Sequence, residues 1–392
     1  MKKRLLSVLC MSLILLTLVS CGKKQVTYDP KKSNAVSAIM HEAEERKKPP
    51  EKISLVCFGD TLMHMPVVNS GKKADGTYDY SDIFEKLQPM IEEADLAEIG
   101  QETVFGGEKL GYSGYPLFNT PSDVGKSLVD QGFDIVVHAS NHVLDKGTGA
   151  VQSTIDFWKQ YPDVAVLGIN ETESDYNKVR IIEKKGAKIA LLNYTYGTNG
   201  IKLAEEKAYM VNYIDEEKIK KDCEYARENA DFTIAFMHWG TEYSSKVSQE
   251  QKELAKKMCT WGVGLIVGAH PHVIEPVEWI ESDNGNKMLV YYSLGNFVSR
   301  QLEAKNLLGG CAKITLEYDR KEVKITDDKF MPVVTHYNKA YNKFTVYPLK
   351  DYSDDIAKEH GVAASDGAIS VKRYKDMVDT VFDGYDKSII DY

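Results

Sequence analysis

The sequence predicts an α/β fold of mixed sheets covered by helices, and three observations carry that expectation. From Ile53 onward, short apolar runs alternate with amphipathic stretches of helical period. From Glu278 the alternation gives way to antiparallel hairpins. The chain has 392 residues, 43% of them hydrophobic, which is enough to bury a large core.

Taken in order, ISLVCFGD is a buried strand, because its apolar residues run on without a polar face. DIFEKLQPMIEEA, from Asp82 to Ala94, is a helix with its apolar residues on one side, and DLAEI is a strand. Ser122 or Asp123 caps a helix that Gly132 ends, and DIVVHA is the next strand. A helix from Ala150 to Tyr161 leads to strand VAVLGI, and a hairpin turns at Lys184 to Ala187. A polar helix, Glu216 to Asn229, precedes strand FTIAFMHW, and a helix from Gln249 to Trp261 precedes strand LIVGA. Later hairpins turn at Asp283 to Asn286 and near Asp319 to Lys321. After Pro348 a C-terminal extension, 349–392, holds one amphipathic helix, Val371 to Phe382, able to dock on the main domain at 51–348. No internal repeat is visible.

The first residues read as an address. Lys2, Lys3 and Arg4 precede an apolar run from Leu5 to Val19, the pattern of an export signal over 1–20 and too short for a membrane span of about 20 residues. Leu18-Val19-Ser20-Cys21 resembles the lipobox of bacterial lipoproteins, in which the cysteine thiol carries a diacylglycerol. Membrane lipid reached through acylated Cys21 is therefore an expected partner, and the outer face of the bacterial cell membrane the expected location. Residues 21–50, rich in Lys, Glu and Ser and ending in Pro49-Pro50, form a stalk in which His41 has no role. Against 49 Lys and Arg stand 58 Asp and Glu, a formal charge of −9, which argues against nucleic acid as a partner. Cys57, Cys223, Cys259 and Cys311 are widely spaced and form no C-x-x-C, which excludes zinc-knuckle and thioredoxin-like sites. Two of them could pair in an exported protein, and spacing does not choose which.

Polar clusters recur where strands end: Gly59-Asp60, Gln101-Glu102, Ser140-Asn141-His142 with Asp145, His238-Trp239-Gly240-Thr241-Glu242, and His270-Pro271-His272. In open α/β folds such loops converge on one crevice. Proline disfavours the helical region for the residue before it, so His270 is expected to be extended, with both imidazoles projecting to one side. His238 adds a third nitrogen, Asp60 and Glu102 supply oxygens, and Asn141 supplies a neutral carbonyl. Mixed imidazole and carboxylate ligation favours Zn, Mn or Fe over Ca or Mg. Each piece also has a plainer reading: hydrogen-bonded histidines, Asn141 in a left-handed turn, Glu242 merely orienting His238.

The ordered set GDTLMH, DLAEIGQETVFGG, YSGYPLFNTP, GFDIVVHASNHVLDKG, LLNYTYGTNG, HWGTEY, GAHPHVIEPVE and YYSLGNFV resembles the CapA family of poly-γ-glutamate capsule biosynthesis proteins. That family is similar to calcineurin-like metallophosphoesterases, and the resemblance covers about three quarters of the chain, Ile53 to Pro348. It implies a four-layer αββα sandwich with a metal centre at one end. It also implies that Asp60, Glu102, Asn141, His238, His270 and His272 hold metal, with Glu102 bridging, and that His142 faces the leaving oxygen. Gly100 departs from the family, which usually has Asn two residues before the Glu. His64 is a further candidate ligand or anion contact, Asp145 and Glu242 are accessory candidates, and His138 is expected to be packed and hydrogen-bonded. His336 and His360 have no identified partner.

These readings lead to a phosphoesterase-type hydrolase with two divalent transition-metal ions and an anionic or phosphate-containing substrate. A non-catalytic subunit of a poly-γ-glutamate synthase or export complex is the alternative. A solute-binding lipoprotein fits less well, because it would leave the histidines idle.

Overall fold

The structure, a computed structural model, describes residues 48–392. The expected signal peptide, Cys21, His41 and the stalk up to residue 47 lie outside the described residues. The strands in chain order are β1 (Glu51–Thr61), β2 (Leu96–Gln101), β3 (Ile135–Val137), β4 (Ala165–Leu167), β5 (Arg180–Lys184), β6 (Ala187–Thr195) and β7 (Phe232–His238). They continue with β8 (Leu265–Ala269), β9 (Val277–Glu281), β10 (Lys287–Tyr291), β11 (Asn296–Val298), β12 (Leu308–Tyr318), β13 (Val323–Tyr337) and β14 (Phe344–Pro348).

Two mixed sheets result. The first runs β14-β13-β12-β1-β2-β3-β4, with β11 also paired to β1. Within it β1, β2, β3 and β4 are parallel, and the β12–β14 hairpins add an antiparallel half. The second runs β5-β6-β7-β8-β10-β9, parallel from β6 through β10 and closed at each edge by an antiparallel hairpin strand.

Side chains alternate across each strand, and β6 shows what that does to the layers. Ile189 and Leu191 join the core shared by the two sheets, with Ile53, Leu55, Ile234, Phe236, Leu265 and Val267. Ala190, Leu192 and Tyr194 join a second cluster, with Ile219, Cys223, Leu254 and Met258 from helices Glu216–Asn229 and Gln249–Trp261. Phe84 and Val124, from helices Ser81–Phe84 and Asp123–Asp130, join the first of these clusters, with Phe84 against Phe133 and Phe297, both of which meet Phe58 of β1. The order is helix, sheet, sheet, helix. Burying each large apolar side chain is worth about 1.5–3 kcal/mol before entropy is counted.

Where end signals are local, helix bounds follow them. Asp215 accepts from the Lys218 N–H at 2.8 Å, opening helix Glu216–Asn229. Ser248 and Gln251 cap each other's backbone at the start of Gln249–Trp261, and Gly262 ends that helix with φ 101°. The expected helix from Asp82 to Ala94 is instead two short ones, Ser81–Phe84 and Gln88–Glu93. Pro89 explains the break: it has no N–H to give the Glu85 carbonyl, and its ring would collide with it. A further helix, Met65–Ser70, starts with a proline in its first turn.

Residues Pro50–Tyr392 form one compact unit, with the segment after Pro348 packed into the core. Tyr374, Val378 and Phe382 of the last helical segment are fully buried, and Phe382 lies 5.0 Å from Phe330 between ring centroids. Short helices Asp354–Lys358 and Ala363–Asp366 precede it. The histidines without an identified partner have partners here: His336 Nδ1 lies 2.9 Å from the Tyr352 hydroxyl, and His360 Nε2 lies 3.0 Å from the Thr335 carbonyl. His138 is packed as expected, accepting from Trp158 Nε1 at 2.7 Å. Cys57, Cys223, Cys259 and Cys311 are free and buried. Among the described residues no helix is long and apolar enough to cross a membrane.

Candidate metal centre

The carboxyl ends of β1, β2 and β3 in one sheet and of β7 and β8 in the other lie at the same end of the sandwich and carry the candidate residues. Asp60 sits on β1 in register with Gly100 of β2 and with Asn296 of β11. Gly59 permits the approach: a Cβ there would stand 1.9 Å from the Gly295 carbonyl oxygen. Glu102 directly follows β2, Asn141 and His142 lie in the turn beyond β3, His238 ends β7, and His270 and His272 follow β8.

Six residues from this set meet. Asp60 Oδ1 lies 3.7 Å from His238 Nδ1, and Asp60 Oδ2 accepts from the His270 N–H at 3.0 Å. Glu102 Oε1 is 3.9 Å from His238 Nε2 and 4.0 Å from His272 Nε2. His238 Nε2 is 2.9 Å from Asn141 Oδ1. The His238 and His270 ring centroids are 4.9 Å apart, and those of His270 and His272 are 5.9 Å apart. All six side chains are buried.

The His-Pro-His segment is not extended. His270 has φ 100° and His272 φ 56°, so the chain turns sharply through the triplet. Proline removes the right-handed helical choice for His270 but leaves positive φ open, and the donated bond to Asp60 holds it there. Both rings reach the centre by this turn rather than by strand alternation.

Two triads offer ligand atoms mutually within 4.8 Å: Asp60, Glu102 and His272, and Glu242, His270 and His272. Glu242, exposed, thus stands beside the paired histidines, in contrast to the reading that has it orienting His238. His64 is one layer out, its Nδ1 accepting from the Arg300 N–H at 3.3 Å and its ring against Phe118. Asp145 serves His142: its Oδ2 lies 2.7 Å from His142 Nδ1 and accepts from the Phe118 N–H at 2.7 Å.

The electrostatics test whether a cation belongs here. Burial pushes the Asp60 carboxyl well up, and burial together with the neighbouring Asp60 carboxylate pushes Glu102 well above its ordinary range. Burial and the adjacent imidazoles drive His238 far down, His270 to about 3 and His272 to about 4. Both Glu102 oxygens and His270 Nδ1 are buried without a hydrogen-bond partner. Orphaned buried acceptors are costly, and a cation satisfies carboxylate oxygens and neutral imidazole nitrogens together. The donor set fits a divalent transition metal.

Other residues here were not singled out from sequence. Asn296 Oδ1 accepts from His272 Nδ1 at 2.9 Å, fixing that ring as metal-binding histidines require. The Tyr196 ring centroid is 4.4 Å from that of His270, and Asn199 accepts from Asn141 Nδ2 at 3.2 Å. Both lie in LLNYTYGTNG, as Asn296 lies in YYSLGNFV, so the segments were visible though the residues were not. Glu98 is buried on β2 below the centre, its carboxyl raised by burial and one oxygen without a partner. An acid inside the apolar run DLAEI was the signal for it.

The family described as "Bacterial capsule synthesis protein PGA_cap" matches residues 54–301. The chain is 26% identical over 278 residues to capsule biosynthesis protein CapA of Bacillus anthracis, covering 69% of this chain and 64% of that protein. It is 32% identical over 177 residues to PGA biosynthesis protein CapA of Bacillus subtilis, covering 45% of each. The chain thus spans less than two thirds of the length of either relative. Among solved structures, the Haemophilus influenzae NAD nucleotidase superposes with TM-score 0.47 at 14% identity, over 85% of this chain and 61% of that one. The calcineurin-like phosphoesterase YfkN of Bacillus subtilis superposes with TM-score 0.43 at 13% identity, over 85% and 99%.

Proposed function

The chain belongs to the bacterial capsule synthesis family PGA_cap, and from that premise we propose that it is a metal-dependent hydrolase of phosphoester type serving capsule or cell-envelope polymer formation. One observation carries the chemistry: two buried carboxylates from one sheet face three buried imidazoles from the other, and both Glu102 oxygens lack any partner. Asp60, Glu102, Asn141, His238, His270 and His272 would hold the divalent ions, with His272 serving one of them through its free Nε2 and Glu242 standing beside the paired histidines. Bound there, such ions (Mn, Zn or Fe) lower the pKa of a coordinated water toward about 7 and stabilise charge on phosphoryl oxygens.

The chain's own residues do the rest. Asp145 accepts the Nδ1 proton of His142 in a 2.7 Å hydrogen bond, which orients the ring and stabilises its imidazolium form; that form, with a second proton on Nε2, would give the Nε2 proton to the leaving oxygen and remain as neutral imidazole. Such a positioned acid is worth about 10²–10⁴ in rate. Asn296 holds His272 at the angle its Nε2 needs. Tyr196 and Phe118 wall the centre on two sides, against His270 and His142. A lipid anchor at Cys21 on the outer face of the membrane, beside a polymer synthase or export complex, belongs to the same proposal, supported by the basic start, the apolar run and the lipobox-like tetrapeptide.

Gly100 favours a second reading, a non-catalytic subunit that handles an anionic polymer, because the family's usual Asn is absent beside Asp60. The deciding experiment is metal analysis of the wild-type protein beside a His270→Ala, His272→Ala double variant, followed by phosphomonoester and phosphodiester turnover with Mn and Zn. The hydrolase reading expects stoichiometric metal and turnover in the wild type, both lost in a variant that stays folded. Bound metal with no turnover on any ester supports the subunit, and equal metal in both proteins moves the ligands elsewhere.

A further inference from the structure

Beside the metal centre lies a cavity of about 360 Å³ that none of the roles above requires. His142, Glu242 and His272 form part of its wall, so it opens beside the proposed acid and the metal centre together. His64, Phe118 and Tyr243 continue the wall toward Arg300, and the rim carries Tyr115, 76% exposed, and Leu302, 51% exposed.

Arg300 is the unexplained residue. Its guanidinium carbon sits 4.5 Å from the centre of the Tyr341 ring, which holds the plane in place. Its Nε is buried with no hydrogen-bond partner, and among the described residues no carboxylate pairs with it. The two acids of the cavity are engaged elsewhere: Glu303 pairs with Lys305 at 3.2 Å, and Glu242 stands with His270 and His272. The guanidinium charge, half-buried in the cavity wall, has no carboxylate to balance it, and its planar fork suits a two-oxygen anion. The backbone of Arg300 and its neighbour Gln301 are wired toward the centre. The Arg300 N–H donates to His64, Asn296 Nδ2 donates to Gln301 Oε1 at 2.9 Å, and the same Asn296 holds His272.

We propose that this cavity is the leaving-group subsite and that Arg300 selects substrates whose leaving group carries a carboxylate. The inference deepens the hydrolase reading and rests on it for where the phosphoryl group lies. A neutral alkyl leaving group would fill the aromatic wall and leave the guanidinium without a counter-charge. A carboxylate supplies one to the guanidinium in the cavity wall, and a charge-assisted pair of this kind is worth about tenfold or more in affinity.

The test uses ligands that cannot be hydrolysed, so that it reads binding apart from turnover. 3-Phosphonopropionate and its longer homologues are titrated calorimetrically into the metal-loaded protein, each against the alkylphosphonate that ends in methyl instead of carboxylate. For the best-fitting chain length, the wild type should bind the carboxylate about tenfold more tightly or better. Arg300→Gln should bring that ratio near one, and Arg300→Lys should leave an intermediate value. A wild-type ratio near one, no binding of either probe, or a ratio that Arg300→Gln does not change overturns the inference. The wild-type ratio needs no variant to fold. Carboxylate preference without ester turnover would keep this subsite and remove the hydrolase. Turnover without preference would do the reverse.

Discussion

Gly100 lies in register with Asp60 on the neighbouring strand, and a Cβ on it would stand 2.8 Å from Asp60 Oδ1. The carboxylate therefore occupies space that any side chain at position 100 would contest. Asp60 in turn accepts from the His270 N–H, so moving it disturbs the turn that aims both paired histidines. Gly100→Ala should therefore weaken metal binding about tenfold, in the range seen when groups supporting metal ligands are altered. Metal titration of the variant checks this, and affinity equal to wild type would mean that the carboxylate shifts without consequence. The convergence of Asp60, Glu102, Asn141, His238, His270 and His272 was legible because each lies at the end of a strand or within four residues beyond it, and strand ends meet. Asn296, Tyr196, Glu98 and Arg300 were not, because their places beside the centre come from what other segments bring against them. The conformation of His270 was also illegible: proline excludes one region of backbone space, and a tertiary hydrogen bond chooses among those left.

Elements were legible to the degree that their ends are decided locally. Helices Glu216–Asn229 and Gln249–Trp261 have the residue bounds expected of them, with caps drawn from Asp215, Ser248, Gln251 and Gly262. The helix expected from Asp82 to Ala94 failed at Pro89, because a one-sided apolar pattern survives a break that the backbone does not. The last helical segment tests an element held by packing more than by propensity. It presents Tyr374, Val378 and Phe382 to the core beneath β13 and β14, and Phe382 packs on Phe330 of β13. Phe382→Ala should cost about 3–5 kcal/mol, the usual range for a fully buried phenylalanine. Denaturant unfolding measures this, with metal content unchanged because the segment contributes nothing to the centre. A loss under about 1 kcal/mol would mean that the segment docks loosely.

At the scale of the molecule, the centre draws on both halves of the sandwich. Asp60, Glu102 and Asn141 come from the eight-stranded sheet, and His238, His270 and His272 from the six-stranded one. Beneath them the sheets share one apolar core, but at this end the facing groups are carboxylates and imidazoles, each forced by burial toward its neutral form. Without a cation, this end of the interface therefore holds polar groups with too few partners, Glu102 above all. A metal bound by the folded protein and not by the unfolded chain stabilises by mass action, about 2.7 kcal/mol at one hundred times its Kd. For a unit of this size that corresponds to a rise of roughly 4 °C in Tm. Stripping metal with a chelator should lower the Tm by that order, and restoring Mn or Zn should return it. In the His270→Ala, His272→Ala protein neither step should move it. Calorimetry of the four samples decides the matter: an equal response to metal in both proteins would place the stabilising ion away from the seam between the sheets.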